Sequence, residues 1–219
     1  AFFGVAFNMT AFFKGLSMTS SINASVLMLM APVFVVIFSA IGNKTFIKPI
    51  VYTGILIAFI GAALLVDVFH FSIDNNGLMG DILVMLNATS YAYYLYFVAR
   101  LLKKYNAITI TTFLFVFGFM MVLPIGVSDF VNVEWTSLPN KAIFSMTYVI
   151  IGVIILAYLM NAWALQNSNS TTVGSYIYLQ PLLATLIAIS LGMDTLSIEK
   201  IGYGLLIISG LFLVNKGRN

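Results

Sequence analysis

The chain has 219 residues, 61% of them hydrophobic and 8% charged, with a formal net charge of +3. A soluble domain is about 45–50% apolar and about 25% charged. A water-soluble globule, a disordered chain and a nucleic-acid binder are therefore excluded, and a polytopic membrane protein remains. Cysteine is absent and His70 is the single histidine. Neither a disulfide framework nor a thiolate or histidine metal cluster can be built, and no cofactor is expected.

In chain order, eight stretches are apolar and long enough to read as membrane spans: 1–16, 20–41, 48–66, 80–102, 108–128, 142–165, 170–191 and 198–215. The first is short and starts on Ala1 with no charged leader, so it reads as a helix already begun, with the true N-terminus upstream. Polar turn residues separate the spans: Asn43-Lys44, Asp74 to Gly77, Lys103 to Asn106, Asn132 to Lys141, Gln166 to Ser170, and Asp194 to Lys200. A backbone in hydrocarbon must bond to itself, as helix or closed barrel. Barrel strands are about ten residues long and alternate apolar with polar. These spans are longer and apolar all round, so the expected fold is an all-α transmembrane helical bundle.

Charge placement sets the expected orientation. With the start of the first span in the cytoplasm, the cytoplasmic side holds Lys44, Lys48, Arg100, Lys103, Lys104, Lys216 and Arg218. The opposite side holds Lys14, Lys141 and Lys200, together with all seven acids. This is the positive-inside asymmetry. It puts both ends of the chain in the cytoplasm, as an integral protein of the cytoplasmic (inner) membrane.

An internal repeat appears at an offset of 149 residues: Leu16 maps to Leu165, Pro32 to Pro181, Gly61 to Gly210 and Leu64 to Leu213. Five spans separate equivalent helices, so the second copy is inverted relative to the first, a hallmark of secondary transporters. The second copy, 80–215, has five helices, whereas residues 1–66 supply only three, with an outer loop at 67–79 and a cytoplasmic tail at 216–219. The arithmetic predicts ten helices in two inverted five-helix repeats, eight of them in this sequence.

Three stretches form a recognisable pattern. One is Gly15-Leu16-Ser17-Met18-Thr19-Ser20-Ser21-Ile22-Asn23-Ala24 with Ala31-Pro32-Val33-Phe34. Its partner is Ala164-Leu165-Gln166-Asn167-Ser168, then Gln180-Pro181-Leu182-Leu183 and Leu191-Gly192. The third is Gly80-Asp81-Ile82-Leu83. Together they resemble the EamA-type domains of the drug/metabolite transporter superfamily, the third being similar to the start of the family's second domain. The resemblance implies ten helices, a central substrate cavity and movement of small metabolites across the cytoplasmic membrane. One departure is the Leu-Gly-Glu that often follows each proline helix in the family. Here the chain has Ile41-Gly42-Asn43 and Leu191-Gly192-Met193-Asp194.

Polar faces inside apolar spans mark candidate solute contacts, because such a face cannot meet lipid cheaply. Asn87, Ser90, Tyr91 and Tyr94 recur at i, i+3, i+4 and i+7; Tyr158 and Asn161 form an i, i+3 pair. Thr172, Tyr176 and Gln180 follow at i, i+4 and i+8. Interhelical hydrogen bonding is the competing explanation for each. Leu27 and Ala31 stand where Tyr176 and Gln180 stand in the second copy, so the fold does not require that polar pair. The expectation is that Asn87, Tyr91, Tyr94, Tyr158, Asn161, Tyr176 and Gln180 converge on one cavity. Pro32 and Pro181 are expected to kink their helices and serve as gating points. Gly152, Gly174, Gly202 and Gly204 are expected at close helix contacts.

These features predict a permease or exporter, with the lipid bilayer and a small-molecule substrate as partners. A non-transporting scaffold or channel is the alternative. An enzyme is not expected, since on this reading the interior offers no Cys, His, Asp or Glu. Nothing in the sequence fixes the oligomeric state, and a homodimer is compatible with it. A cavity of Tyr, Asn, Gln and Met suits an uncharged or zwitterionic solute.

Overall fold

The computed structural model describes residues 1–44, 46–72, 77–193 and 195–217. Among them are eight long helices and no strand: α1 (Phe2–Leu16), α2 (Ser21–Asn43), α3 (Pro49–Leu65), α4 (Leu78–Leu101), α5 (Ala107–Asn132), α6 (Asn140–Asn167), α7 (Ser170–Ser190) and α8 (Ile198–Gly217). Six are long and apolar enough to cross a membrane; α1 and α3 are shorter apolar helices. The all-α polytopic fold read from the sequence stands. Helix ends depart from the expected spans by a few residues. The largest shift is in α5, which runs on to Asn132 and so carries Asp129 in its last turn; Pro124 lies inside it, as expected. Lys216 and Gly217 of the expected tail continue α8. Asp74 to Asn76, Asp194 and Arg218 lie outside the described residues.

Successive helices alternate in direction, so the bundle has two ends. The acidic end carries Asp67, Asp81, Asp129, Glu134 and Glu199; the basic end carries Lys44, Lys48, Arg100, Lys103 and Lys104.

Both proline-bearing helices are built alike. The Ser20 hydroxyl caps α2 by accepting from the Asn23 N–H at 3.0 Å, and the Asn169 side chain caps α7 by accepting from the Thr172 N–H at 2.8 Å. Each cap leaves one fewer orphan donor at a helix start. Each helix is then interrupted. In α2 the α-helical bonding breaks at Leu29 and Met30, which reach back only three residues, and Pro32 opens the second half. In α7 a 3-10 turn spans Tyr176–Tyr178, and Pro181 is the third residue of the next segment. Proline lacks an N–H, so it favours the first turn of a new helical segment over a helix interior. The caps are related by the sequence offset, since 169 − 20 = 149 and 172 − 23 = 149.

The closest helix pair is α3 with α8, which run antiparallel. A Cβ on Gly210 would lie 2.5 Å from the Gly54 carbonyl oxygen and the Ala58 nitrogen. A Cβ on Gly61 would lie 2.8 Å from the Tyr203 oxygen and 3.0 Å from Ile207. The two contacts are partners under the offset: Gly54 maps to Tyr203, Gly210 to Gly61, and Ala58 to Ile207. In a bilayer, helices associate by such packing, and the missing side chains let the backbones meet. Around this seam lies one half of the core, with Leu29, Val36, Ile55, Ala58, Tyr178, Ile207 and Leu211. The other half surrounds α4, through Ala92, Leu95 and Val98 against Val5, Val35, Leu114 and Leu165. Of the other glycines expected at close contacts, Gly174 meets Val35 and Gly204 meets Leu182. Gly202 has nothing within 4 Å and Gly152 meets only Tyr148 of its own helix, because α6 and that face of α8 point outward.

At the acidic end the turn after α1 is pinned to α4. Gly15 and Gly80 bring the backbones together: a Cβ on Gly80 would lie 2.8 Å from the Gly15 oxygen. Asp81, only 7% exposed, accepts from the Thr19 hydroxyl and from the Asn23 amide at 3.3 Å. The Asn23 amide also donates to the Ser72 carbonyl at 2.6 Å. The expectation of an interior without acids is therefore corrected. Asp81 is buried because it sits in the first turn of α4, where neutral donors surround it and the helix N-terminus favours negative charge. His70 pairs with Asp67 at 2.7 Å in the exposed loop.

Candidate functional site

Two adjoining hollows occupy the middle of the bundle and its acidic half. The inner, about 230 Å³, lies between α1, α4, α6 and α7. Its polar lining is Asn8, Asn87, Tyr91, Tyr158 and Gln180; Met9, Phe12, Met28, Val153 and Ile177 are among its apolar walls. The outer, about 440 Å³, runs toward the acidic end past Ser21, Ser25 and Ala184. Phe12, Met28, Ile177 and Gln180 line both, so Gln180 stands at the junction. Among the described residues no Asp, Glu, His, Lys or Arg lines either hollow.

The inner hollow has a fixed polar frame. Asn87 donates to the Asn8 carbonyl at 2.8 Å, and Asn8 donates back to the Asn87 carbonyl at 3.2 Å. This reciprocal pair ties α1 to α4 and fixes the Asn87 amide, leaving its Oδ1 as a buried acceptor with no partner among the described residues. Asn161 donates to the Tyr91 hydroxyl at 2.9 Å, and Tyr158 donates to the Gly4 carbonyl at 2.7 Å. The rings of Tyr91, Tyr94 and Tyr158 stand 6.0 and 6.2 Å apart in sequence, with Tyr94 between the others. Nothing here is a nucleophile–base pair, and among the described residues no group of three His, Cys, Asp or Glu could hold a metal. The arrangement can bind and orient a neutral body with a few hydrogen-bonding groups.

Toward the basic end α2 and α7 close on each other. Gly174 lets α7 press on Val35 of α2, where a Cβ would meet it at 3.1 Å. One turn further, the Ser39 and Ser170 hydroxyls bond at 3.0 Å. Thus α2 and α7 touch at the basic end and part at the acidic end.

The EamA-like transporter family model matches residues 1–67 and 78–216. The chain belongs to the EamA-like transporter family. Among relatives, an uncharacterized transporter of Archaeoglobus fulgidus is 27% identical over 204 residues, covering 92% of this chain and 69% of that protein. An uncharacterized transporter of Haemophilus influenzae is 31% identical over 143 residues, covering 64% of this chain and 83% of that one. A solved crystal structure superposes with a TM-score of 0.80 at 16% identity, over 97% of this chain and 72% of its own. That likeness concerns the fold alone.

Within this EamA-like bundle, Asn87, Tyr91, Tyr158 and Gln180 line the inner hollow and Asn161 reaches it through Tyr91. Tyr94 is packed behind them, 6% exposed against Gly4. Tyr176 does not join them. It is 46% exposed and its hydroxyl accepts from Asn215 of α8 at 3.2 Å. The i, i+4 spacing from Gln180 assumed continuous α-helix. The 3-10 turn at Tyr176–Tyr178 winds the chain about 60° further over three residues, carrying Tyr176 off that face. Thr172 lies toward the basic end, away from both hollows. Sequence reading missed Asn8, whose partner is 79 residues away, and the Ser39–Ser170 closure. A polar residue within each apolar span was the available signal.

Proposed function

We propose that this EamA-like protein is a secondary transporter that moves a small uncharged or zwitterionic metabolite across the cytoplasmic membrane. It works by alternating access around the inner hollow, with Gln180 at the entrance and Asn87, Tyr91, Tyr158 and Asn161 around the solute. The basic end faces the cytoplasm, as the distribution of Lys and Arg favours. The observation that carries this reading is the contact between α2 and α7 at one end and the cleft between them at the other. A second supports inverted halves: α3 and α8 run antiparallel, and their contacts exchange under the repeat offset.

Exchange of the halves then names the closed outer state. Val35 maps to Ala184 and Gly174 to Ser25, so the closed basic contact has its counterpart between Ser25 and Ala184. Both line the outer hollow. The chain has no cysteine, so an engineered pair has no background. Ser25→Cys with Ala184→Cys is expected to cross-link during turnover and to stop transport reversibly; Ser39→Cys with Ser170→Cys is expected to cross-link at rest. Full transport with the Ser25/Ala184 pair covalently closed would defeat alternating access.

The solute site is tested by Gln180→Leu. A lost solute hydrogen bond is worth about 1 kcal/mol, so uptake at limiting substrate should fall several-fold with normal membrane insertion. Pro181→Ala should alter the turnover rate instead, since it acts on the segment junction. Unchanged uptake in Gln180→Leu would remove that residue from the site.

A further inference from the structure

The basic end holds a polar hollow beyond the Ser39–Ser170 contact, apart from the solute site proposed above. Two adjoining cavities of about 300 and 390 Å³ share Asn43, Asn169 and Ser170. Lys48 lines the first, and Arg100 and Lys103 line the second. Among the described residues no acid lines either cavity, and none of these three cations makes an ion pair. Arg100 is held in place, with one nitrogen donating to the Gly42 carbonyl at 2.7 Å and its charge 4.6 Å above the Tyr96 ring.

The floor of this hollow is short of acceptors. Ser39 and Ser170, 5% and 7% exposed, share a single hydrogen bond at 3.0 Å, so one of their two hydroxyl hydrogens is left over. Thr172 is 5% exposed; its N–H donates to Asn169 and its carbonyl accepts from Ser175, while its hydroxyl has no partner among the described residues. The Ser170 and Thr172 hydroxyls lie in the first turn of the long helix α7, where the Thr172 N–H is held by Asn169 and the N–H groups of Ser170 and Thr171 have no partner within the helix. Hydroxyl donors facing the cavity without an acceptor, a helix N-terminus and three cations are complementary to one chemistry, an anion with several acceptor oxygens.

We infer that this hollow binds a phosphate group, held by Thr172, Ser170 and the α7 N-terminus and neutralised by Arg100, Lys103 and Lys48. The phosphate comes either from the headgroup of an anionic lipid, entering past the fully exposed Phe46, or from a soluble phosphate compound. It bridges the ends of α2, α3, α4 and α7 and needs no transported solute.

The test uses the purified protein in nanodiscs. In phosphatidylcholine alone, the unfolding temperature is followed with inorganic phosphate against chloride at equal ionic strength. In a second arm, nanodiscs containing phosphatidylglycerol are disassembled and retained lipid is counted by native mass spectrometry. Thr172→Val and Arg100→Gln should each weaken binding about tenfold, the loss expected for one charge-assisted contact. Thr111→Val, an equally buried threonine of α5 outside the hollow, should bind as wild type. Stabilisation by phosphate alone assigns a soluble ligand; retained phosphatidylglycerol alone assigns the lipid. No response in either arm, or wild-type binding in both Thr172→Val and Arg100→Gln, overturns the inference.

Discussion

Gly210→Leu is expected to prevent the bundle from assembling. A side chain there meets the Gly54 carbonyl and the Ala58 nitrogen at 2.5 Å, and these are backbone atoms that cannot swing aside. Overpacking a yielding core costs about 1–3 kcal/mol. Here α3 and α8 must separate, so the loss should exceed that range and take the Tyr178 half of the core with it. The measurement is the monodisperse fraction after detergent extraction, with the unfolding temperature of whatever remains. Gly202→Ala on the same helix is the control. It has nothing within 4 Å and gains helix propensity, so it should be neutral or slightly stabilising. A Gly210→Leu protein that melts like wild type would show that the seam is loose.

Asp81→Leu is expected to cost about 2–4 kcal/mol, because the Thr19 hydroxyl loses its acceptor and the Asn23 amide keeps only the Ser72 carbonyl. The damage should be local to the acidic end. Proteolysis in the turn between α1 and α2 should accelerate before the rest of the bundle melts. Asp81→Asn keeps one carbonyl oxygen as acceptor and should lose about half as much. Equal stability of Asp81→Leu and wild type in both measurements would make the cluster incidental.

The spans were legible because a backbone in hydrocarbon must bond to itself, and their number follows from the lengths of the apolar stretches alone. The paired prolines were legible because Pro32 and Pro181 recur at the repeat offset; Pro124, which has no such counterpart, lies inside an unbroken α5. The form of the interruption was not. A 3-10 turn at Tyr176–Tyr178 has no residue signature here, and it moved Tyr176 away from the face that its spacing assigned. Asn87 was visible within a polar stripe, yet its tie to Asn8 spans 79 residues, beyond any periodicity. Asp81 stood out only as one of the acids at the outer side and as part of a family motif. Its burial depends on Thr19 and Asn23, which the α1–α2 turn brings to it from about 60 positions earlier.

The seam between α3 and α8 also governs how the chain must be made. Gly54 leaves the ribosome 210 − 54 = 156 residues before the Gly210 that it packs against. At a synthesis rate of about 5–20 residues per second, α3 waits roughly 8–30 s for its partner. Throughout that interval its glycine stripe faces lipid or whatever insertion machinery shelters it. A helix-sized stand-in offered during those seconds competes directly with α8. Slowing translation between the two helices should therefore lower the yield of folded protein, even though the finished sequence is unchanged.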